Sequence, residues 1–188
     1  MRIDERDLER ARSAWRWRGQ ARPGFAVEPG PGQESVWDYP RPPAYVPDSR
    51  PVEIYAGDTL LARSDRAVRV LETGSPPTFY LPPDAWIMAL LTPSHRHTFC
   101  EWKGRADYFH VLVDDGGGQG RIDDAIWCYP DARDDAAVIA GWLACYPSRL
   151  RCFVDGEAVR AQAGGYYGGW ITGEVIGPFK GEPGTGHW

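Results

Sequence analysis

The chain has 188 residues, which is one folded body with attachments and enough mass to bury a core without disulfide or metal staples. Gly and Pro together make about a fifth of it (22 and 17 residues), against roughly 12% on average, which excludes a mostly helical protein. Nine Trp and nine Tyr exclude the opposite, a disordered chain, because such chains are poor in large aromatics. The formal charge of −5 gives neither the basic face of a nucleic-acid reader nor a polybasic membrane signal. No apolar run reaches the ~18 residues of a spanning helix, and the opening stretch MRIDERDLERARSAW has no apolar leader core. The expectation is a cytoplasmic protein with no nucleic-acid partner and no membrane contact.

Taken in order, Asp4 to about Trp17 reads as a short charged helix. Asp4 can cap it, and Leu8, Ala11 and Trp15 recur at helical spacing to dock Trp15 or Trp17 on the body. From Arg18 to Pro51 the prolines crowd, with Trp37, Tyr39 and Tyr45 among them. That density excludes regular helix and central strand, so an extended arm is expected, partly polyproline-like and pinned by Trp37 and Tyr39. Residues 1–51 thus form helix and arm, 52–160 a β-rich core, and 161–188 a Gly/aromatic tail packed on that core.

Within the core, VEIYA and TLLAR flank Gly57-Asp58 as a hairpin. AVRVLE (67–72) is a strand closed by Thr73 to Pro77, and TFYL (78–81) is a short strand after it. Pro82-Pro83-Asp84 opens one or two helical turns through Leu91, since Pro costs no hydrogen bond at a first turn. Thr92 to Thr98 reads as a loop and Phe99 to Gly104 as a tight segment. ADYFHVLV (106–113) and IDDAIWCYP (122–130) are paired strands joined across the GGG stretch between Asp114 and Arg121. Asp134 to Tyr146 carries Val138, Ile139, Trp142, Leu143 and Tyr146 at helical spacing, interrupted by Gly141 and ended by Pro147. LRCFV and EAVR flank Asp155-Gly156, a strong type I′ hairpin signal. Short strands with brief helices predict a mainly β, antiparallel fold.

Cys100, Cys128, Cys145 and Cys152 contain no CxxC pair, so neither a disulfide framework nor a four-cysteine zinc site is expected, and most should be buried apolar groups. His95 and His97 sit two apart without a third ligand at matching spacing, and His110 lies on a strand; no metal site is predicted. GGGQG (116–120) lacks the Lys-Ser/Thr of a phosphate loop, and no Gly-x-Ser-x-Gly elbow exists, so no cofactor is read from motifs.

The stretches ESVWDYPRPP, RVLETGSPPTFYLPPDA, TFCEWKGRADYFHV, AIWCYP and VDGE, in that order, resemble the bacterial family known as domain of unknown function 427, which some classifications label nucleotidyltransferase-like. The tail YYGGWITGEVIGPFKGEPGTGHW resembles that of its longer members. The resemblance covers about residues 34 to 188. It implies a β-tent-like fold, two antiparallel sheets at an angle with a pocket between them. Some relatives of that fold group hold zinc, but this chain lacks the paired Cys ligands. The nucleotidyltransferase label asks for clustered carboxylates holding two metal ions. Asp114-Asp115 and Asp123-Asp124 are adjacent pairs, which a strand turns to opposite faces.

The family-like polar set is Glu72, Tyr80, Cys100, Lys103, Tyr108 and Tyr129. Glu72 ends a strand, where it serves as a general base or cation contact, or only satisfies turn amides or pairs with Lys103. In FCEWKG, Cys100 and Lys103 flank Glu101-Trp102. An ammonium beside a thiol favours the thiolate, and Lys is a compact contact for an anion. The plainer alternative is a small buried Cys and a solvated Lys. Cys100, Lys103 and Glu72 are therefore the candidate catalytic residues, and Tyr80, Tyr108, Tyr129 and Trp102 the candidate ligand contacts, although strand aromatics equally build cores.

The leading expectation is a small-molecule-binding protein or enzyme, its ligand small and polar or cationic. A non-catalytic interaction module is the second, with arm and tail wrapping a partner or another copy in a homodimer. A nucleotidyltransferase-like enzyme is the third.

Overall fold

The computed structural model describes residues 5–114 and 119–185. The expected cap Asp4, the centre of the GGG connection and Trp188 lie outside the described residues. The mainly β expectation holds, with 45% of the described residues in strands and 12% helical.

Helix α1 (Glu5–Ser13) carries acids in its first turn and arginines in its last, matching the helix dipole. It leads into Trp15, which is buried. The arm then contributes β1 (Glu34–Ser35) and β2 (Ala44–Asp48). After β2 come β3 (Val52–Ala56), β4 (Thr59–Ser64), β5 (Ala67–Glu72) and β6 (Ser75–Tyr80). Two short 3₁₀ turns, Pro83–Ala85 and Met88–Leu90, precede β7 (Leu91–Cys100), β8 (Gly104–Asp114) and β9 (Gln119–Cys128). A third 3₁₀ turn, Asp134–Ile139, leads to β10 (Leu143–Cys145), β11 (Arg151–Val154) and β12 (Glu157–Ala158). The tail adds β13 (Arg160–Ala161), β14 (Trp170–Ile171) and β15 (Val175–Ile176).

Among the described residues these strands form three antiparallel sheets, ordered β2-β5-β6, β10-β9-β8-β7 and β12-β11-β3-β4, and two strand pairs, β1-β15 and β13-β14. The hairpins at Gly57-Asp58 and Asp155-Gly156 are where the sequence puts them. Asp155 and Gly156 both take positive φ (49° and 78°), as a type I′ turn requires.

Four local expectations need correction. Residues 92–98 are not a loop but the middle of β7. Polar residues occupy both faces there, so the period-two signal is invisible, although burial alternates along the strand. An edge position also tolerates Pro93. The helix expected over 134–146 is only the 3₁₀ turn; Gly141, at φ 73°, breaks it. Leu143 and Cys145 then pair with Cys128 and Ile126 of β9. Strand β6 starts at Ser75, before Pro76 and Pro77, because as an edge strand it needs no donor from them. The arm is not wholly irregular: β2, with Pro47 inside it, pairs along β5, again at an edge.

Three apolar clusters hold the body together. The largest buries Ile54, Leu61, Phe79, Ile126, Leu143 and Trp170, with the Trp170 and Phe79 rings stacked at 4.9 Å. A second gathers Tyr80, Tyr108, Trp127, Tyr129 and Tyr146 between β5-β6 and the long β7-β8-β9 strands. The third joins arm to tail through Trp15, Val36, Trp37, Val175 and Phe179. The Trp37 indole N–H donates to the Pro178 carbonyl at 3.0 Å.

Candidate functional site

Between the β5-β6 hairpin and strands β7 to β9 lies a cavity of about 220 Å³. Strand period explains its wall. In β6, Phe79 and Tyr80 point to opposite faces, Phe79 into the large core and Tyr80 toward the cavity. In β9 the same alternation sends Ile126 and Cys128 inward to the core and Trp127 to the cavity; Tyr129 follows on the cavity side. The reversal from β7 into β8 brings the end of one strand and its turn to the same place. As a result Glu72, Tyr80, Cys100, Lys103, Tyr108 and Tyr129 all line this one cavity.

Trp102 does not. It lines a separate cavity of about 170 Å³ with Arg12, Pro42, Pro43 and Tyr45. The Arg12 guanidinium stands 5.0 Å over its ring and that of Arg41 5.7 Å. Its place is therefore behind the site, as support for Arg41.

The wall carries five charged side chains, Arg41, Glu72, Glu101, Lys103 and Lys180. Arg41, only 8% exposed, donates from one guanidinium nitrogen to Glu72 and from another to Glu101 at 2.7 Å. Sequence reasoning offered turn amides or Lys103 as partners for Glu72; Arg41 is the stronger one. Lys103 is 9% exposed, and its Nζ lies 4.0 Å from the second oxygen of Glu72. No hydrogen-bond acceptor reaches that ammonium among the described residues. Nζ also sits 5.8 Å from the Tyr129 ring centroid. Burial opposes its charge, but electrostatic interaction with its neighbours, Cys100 first and then Glu72, outweighs burial and holds its pKa above the ordinary lysine value. Lys180 completes the set from the tail, 4.4 Å over the Trp15 ring. Burial pulls its pKa below the usual value, with Arg41 acting in the same direction and Glu72 against.

Aromatic side chains make up much of the rest of the lining. The Trp127 indole N–H donates to the Tyr80 hydroxyl at 3.0 Å, and the Tyr108 hydroxyl bonds with that of Thr98 at 2.9 Å. Burial, first among the causes, raises the Tyr80 and Tyr129 phenols above their ordinary pKa, so both are neutral donors at neutral pH. Tail residues 166–169 also line the cavity. A Cβ on Gly168 would fall 2.3 Å from the Trp127 ring, so only glycine lets the backbone pass so close.

Of the four cysteines, Cys128, Cys145 and Cys152 are buried, and Cys100 alone is half-buried at the cavity. Burial, then Asp107, pushes the Cys128 thiol up to about 11. His97 pairs with Asp107 at 2.9 Å and His110 lies 3.1 Å from Asp123, on the long sheet rather than in the cavity. Among the described residues no group of three His, Cys, Asp or Glu side chains is placed to hold a metal ion.

Sequence reasoning missed Arg41, Glu101 and Lys180, and the rim residues Phe99, Tyr166 and Tyr167. Arg41 sits between two prolines of the arm and Lys180 in a Gly-rich tail. Neither local pattern marks a buried cation; only the folded contacts do. The long helices that would cross a membrane are absent among the described residues. A comparison with curated proteins returns no match. The family model described as domain of unknown function DUF427, labelled NTP_transf_9, matches residues 44–159, well over half of the chain, and the protein belongs to that family.

Proposed function

We propose that this protein binds a small anionic molecule in the cavity between β5-β6 and β7-β9, as a binding protein or as an enzyme acting on that molecule. One observation carries the reading. The Lys103 side chain is 10% exposed, lines the cavity and has no hydrogen-bond acceptor among the described residues, while the carboxylate nearest it is shared with Arg41. A buried charge without hydrogen bonds is costly, and an anion in the cavity relieves that cost. Sequence composition favoured a polar or cationic ligand; the excess of Arg41, Lys103 and Lys180 over Glu72 and Glu101 on the wall supports an anion instead.

In this reading Lys103 holds the anion and Glu72 fixes Arg41. Tyr80, Tyr108 and Tyr129 form the floor. For a reacting ligand, Cys100 is the nucleophilic sulfur on the wall and Glu72 the carboxylate base. The donor set fits the nucleotidyltransferase alternative poorly. Both wall carboxylates are engaged by Arg41, and no three-donor group accompanies them among the described residues. Against the interaction-module alternative stand Trp37 and Trp170, both fully buried in their own chain, while Trp188 lies outside the described residues.

Titration calorimetry with acetate and inorganic phosphate tests the proposal. Binding should occur in the wild type and weaken by about tenfold or more in Lys103→Met, the loss expected for one charged contact. Equal binding by both proteins, or none by either, overturns it. Thermal stabilisation by nucleoside triphosphate with Mg²⁺, and not by the simple anions, would instead favour the nucleotidyltransferase.

A further inference from the structure

Two of the four cysteines meet inside the large apolar core. Cys145 on β10 and Cys152 on β11 are free thiols whose sulfurs lie 3.5 Å apart. That is a contact distance for two sulfur atoms, and a bond of about 2.05 Å needs a relative movement of only about 1.5 Å. The two strands belong to different sheets, β10 to the β10-β9-β8-β7 sheet and β11 to the β12-β11-β3-β4 sheet. The chain between them turns at Pro147 to Arg149, with Ser148 and Arg149 exposed. The Trp170 indole, fully buried, donates to the Cys145 carbonyl at 3.2 Å. A single buried Cys serves as a small apolar group. A pair in sulfur contact across two sheets also has the reach of a disulfide.

We propose that Cys145 and Cys152 form a dithiol site, oxidised by a peroxide to an intramolecular disulfide that staples the two sheets beside Trp170. The inference is independent of the anion-binding reading, since neither cysteine lines the cavity. Cys152, 3% exposed against 0% for Cys145, reacts first. Its sulfur attacks one oxygen of hydrogen peroxide, the O–O bond breaks, and the thiol becomes a sulfenic acid with release of one water. The Cys145 sulfur then attacks the Cys152 sulfur. The S–O bond breaks, and the oxygen leaves as a second water with the proton of the Cys145 thiol. The two thiols have lost two electrons and two protons, and one peroxide has become two waters. Burial, then Cys152, lifts the Cys145 thiol well above its ordinary pKa, which holds it in the unreactive form while the fold is closed. Opening of the exposed turn admits the oxidant.

The test is to treat the native protein with hydrogen peroxide, block the remaining thiols and digest with trypsin. Cleavage after Arg133, Arg149, Arg151 and Arg160 puts the two cysteines on separate peptides, 134–149 and 152–160. Mass spectrometry should find these peptides joined, at the sum of their masses less two hydrogens, and separated again by dithiothreitol. The joined protein should melt about 5 °C above the reduced one, as expected when a disulfide shrinks the unfolded ensemble. Cys145→Ala should abolish the joined pair and send Cys152 on to the sulfinic acid. Wild-type peptides that stay separate while Cys100 oxidises overturn the proposal. So does joining that needs urea, because the pairing would then belong to the unfolded chain. So does a joined protein that melts below the reduced one, because the native packing would then resist the bond.

Discussion

Strands β6 and β9 have two faces that solve opposite problems. On one, Phe79, Ile126 and Trp170 are closed off from water with apolar neighbours throughout. On the other, one residue along, Tyr80 and Trp127 border a cavity with Arg41, Glu72 and Lys103 on its walls. The first face buys stability with area. The second holds charge and open volume, both of which cost stability, and is tolerable because the first exists. A protein whose only task was to fold would fill that cavity. If the cavity is the binding site proposed above, substitutions on the second face should change binding and substitutions on the first should change stability.

The largest effect belongs to the dry face. Trp170→Ala removes a fully buried ring that stacks on Phe79 and donates its N–H to the Cys145 carbonyl at 3.2 Å. It should cost about 3–5 kcal/mol in urea unfolding. Anion affinity, measured on the protein that remains folded, should change far less. A large loss of affinity with little loss of stability would erase the division between faces.

Gly168→Ala tests the seam where the tail lines the cavity. The added methyl would lie 2.3 Å from Trp127, whose ring is held by Tyr80 and by Tyr146 at 4.5 Å. The backbone strap must therefore lift. Overpacking of this kind costs about 1–3 kcal/mol, less than the core variant, yet anion binding should fall more than in Trp170→Ala. Calorimetry and denaturation on the two variants, ranked in opposite order, would sharpen the comparison. The same ranking in both measurements would break it.

Much of this fold is readable from local sequence, and the misses share a cause. The hairpins around Gly57-Asp58 and Asp155-Gly156 carry their own turn chemistry, and β8 and β9 carry alternation. Strand β7 does not, because Thr92, Ser94, Arg96 and Thr98 are as polar as the residues between them; pairing with β8 makes it a strand. Leu143 and Cys145 sit in a window with helical spacing, and the partner β9 overrides it. For the site, the motif order picked out six residues that share the cavity. It could not supply Arg41 and Lys180, because a cation in a Pro-rich arm or a Gly-rich tail has no local mark of burial. The tail and arm complete a site whose floor the core strands provide.

The smallest effect is a pH dependence confined to the wet face. The folded pKa of Lys180 lies below the 10.5 of a free lysine because burial disfavours its charge. As pH climbs from neutrality toward 10.5, the folded protein releases this proton before the unfolded chain does. The cost of holding the ammonium partly buried is present at neutral pH and fades across that window, so this group makes folding more favourable as pH rises. Anion affinity should move the other way, because the cavity loses one of its three cations. Lys103 is shifted upward by Cys100 and Glu72 against burial, so it keeps its charge throughout the window and affinity falls only in part. Lys180 is partly exposed, so the drop should be modest, about threefold, as for a screened charge contact. Lys180→Met should remove the slope, and Lys103→Met should leave a weak site whose affinity falls further as Lys180 deprotonates. An affinity that holds flat to pH 10.5 in the wild type would take Lys180 out of the site and leave the anion to Lys103 and Arg41.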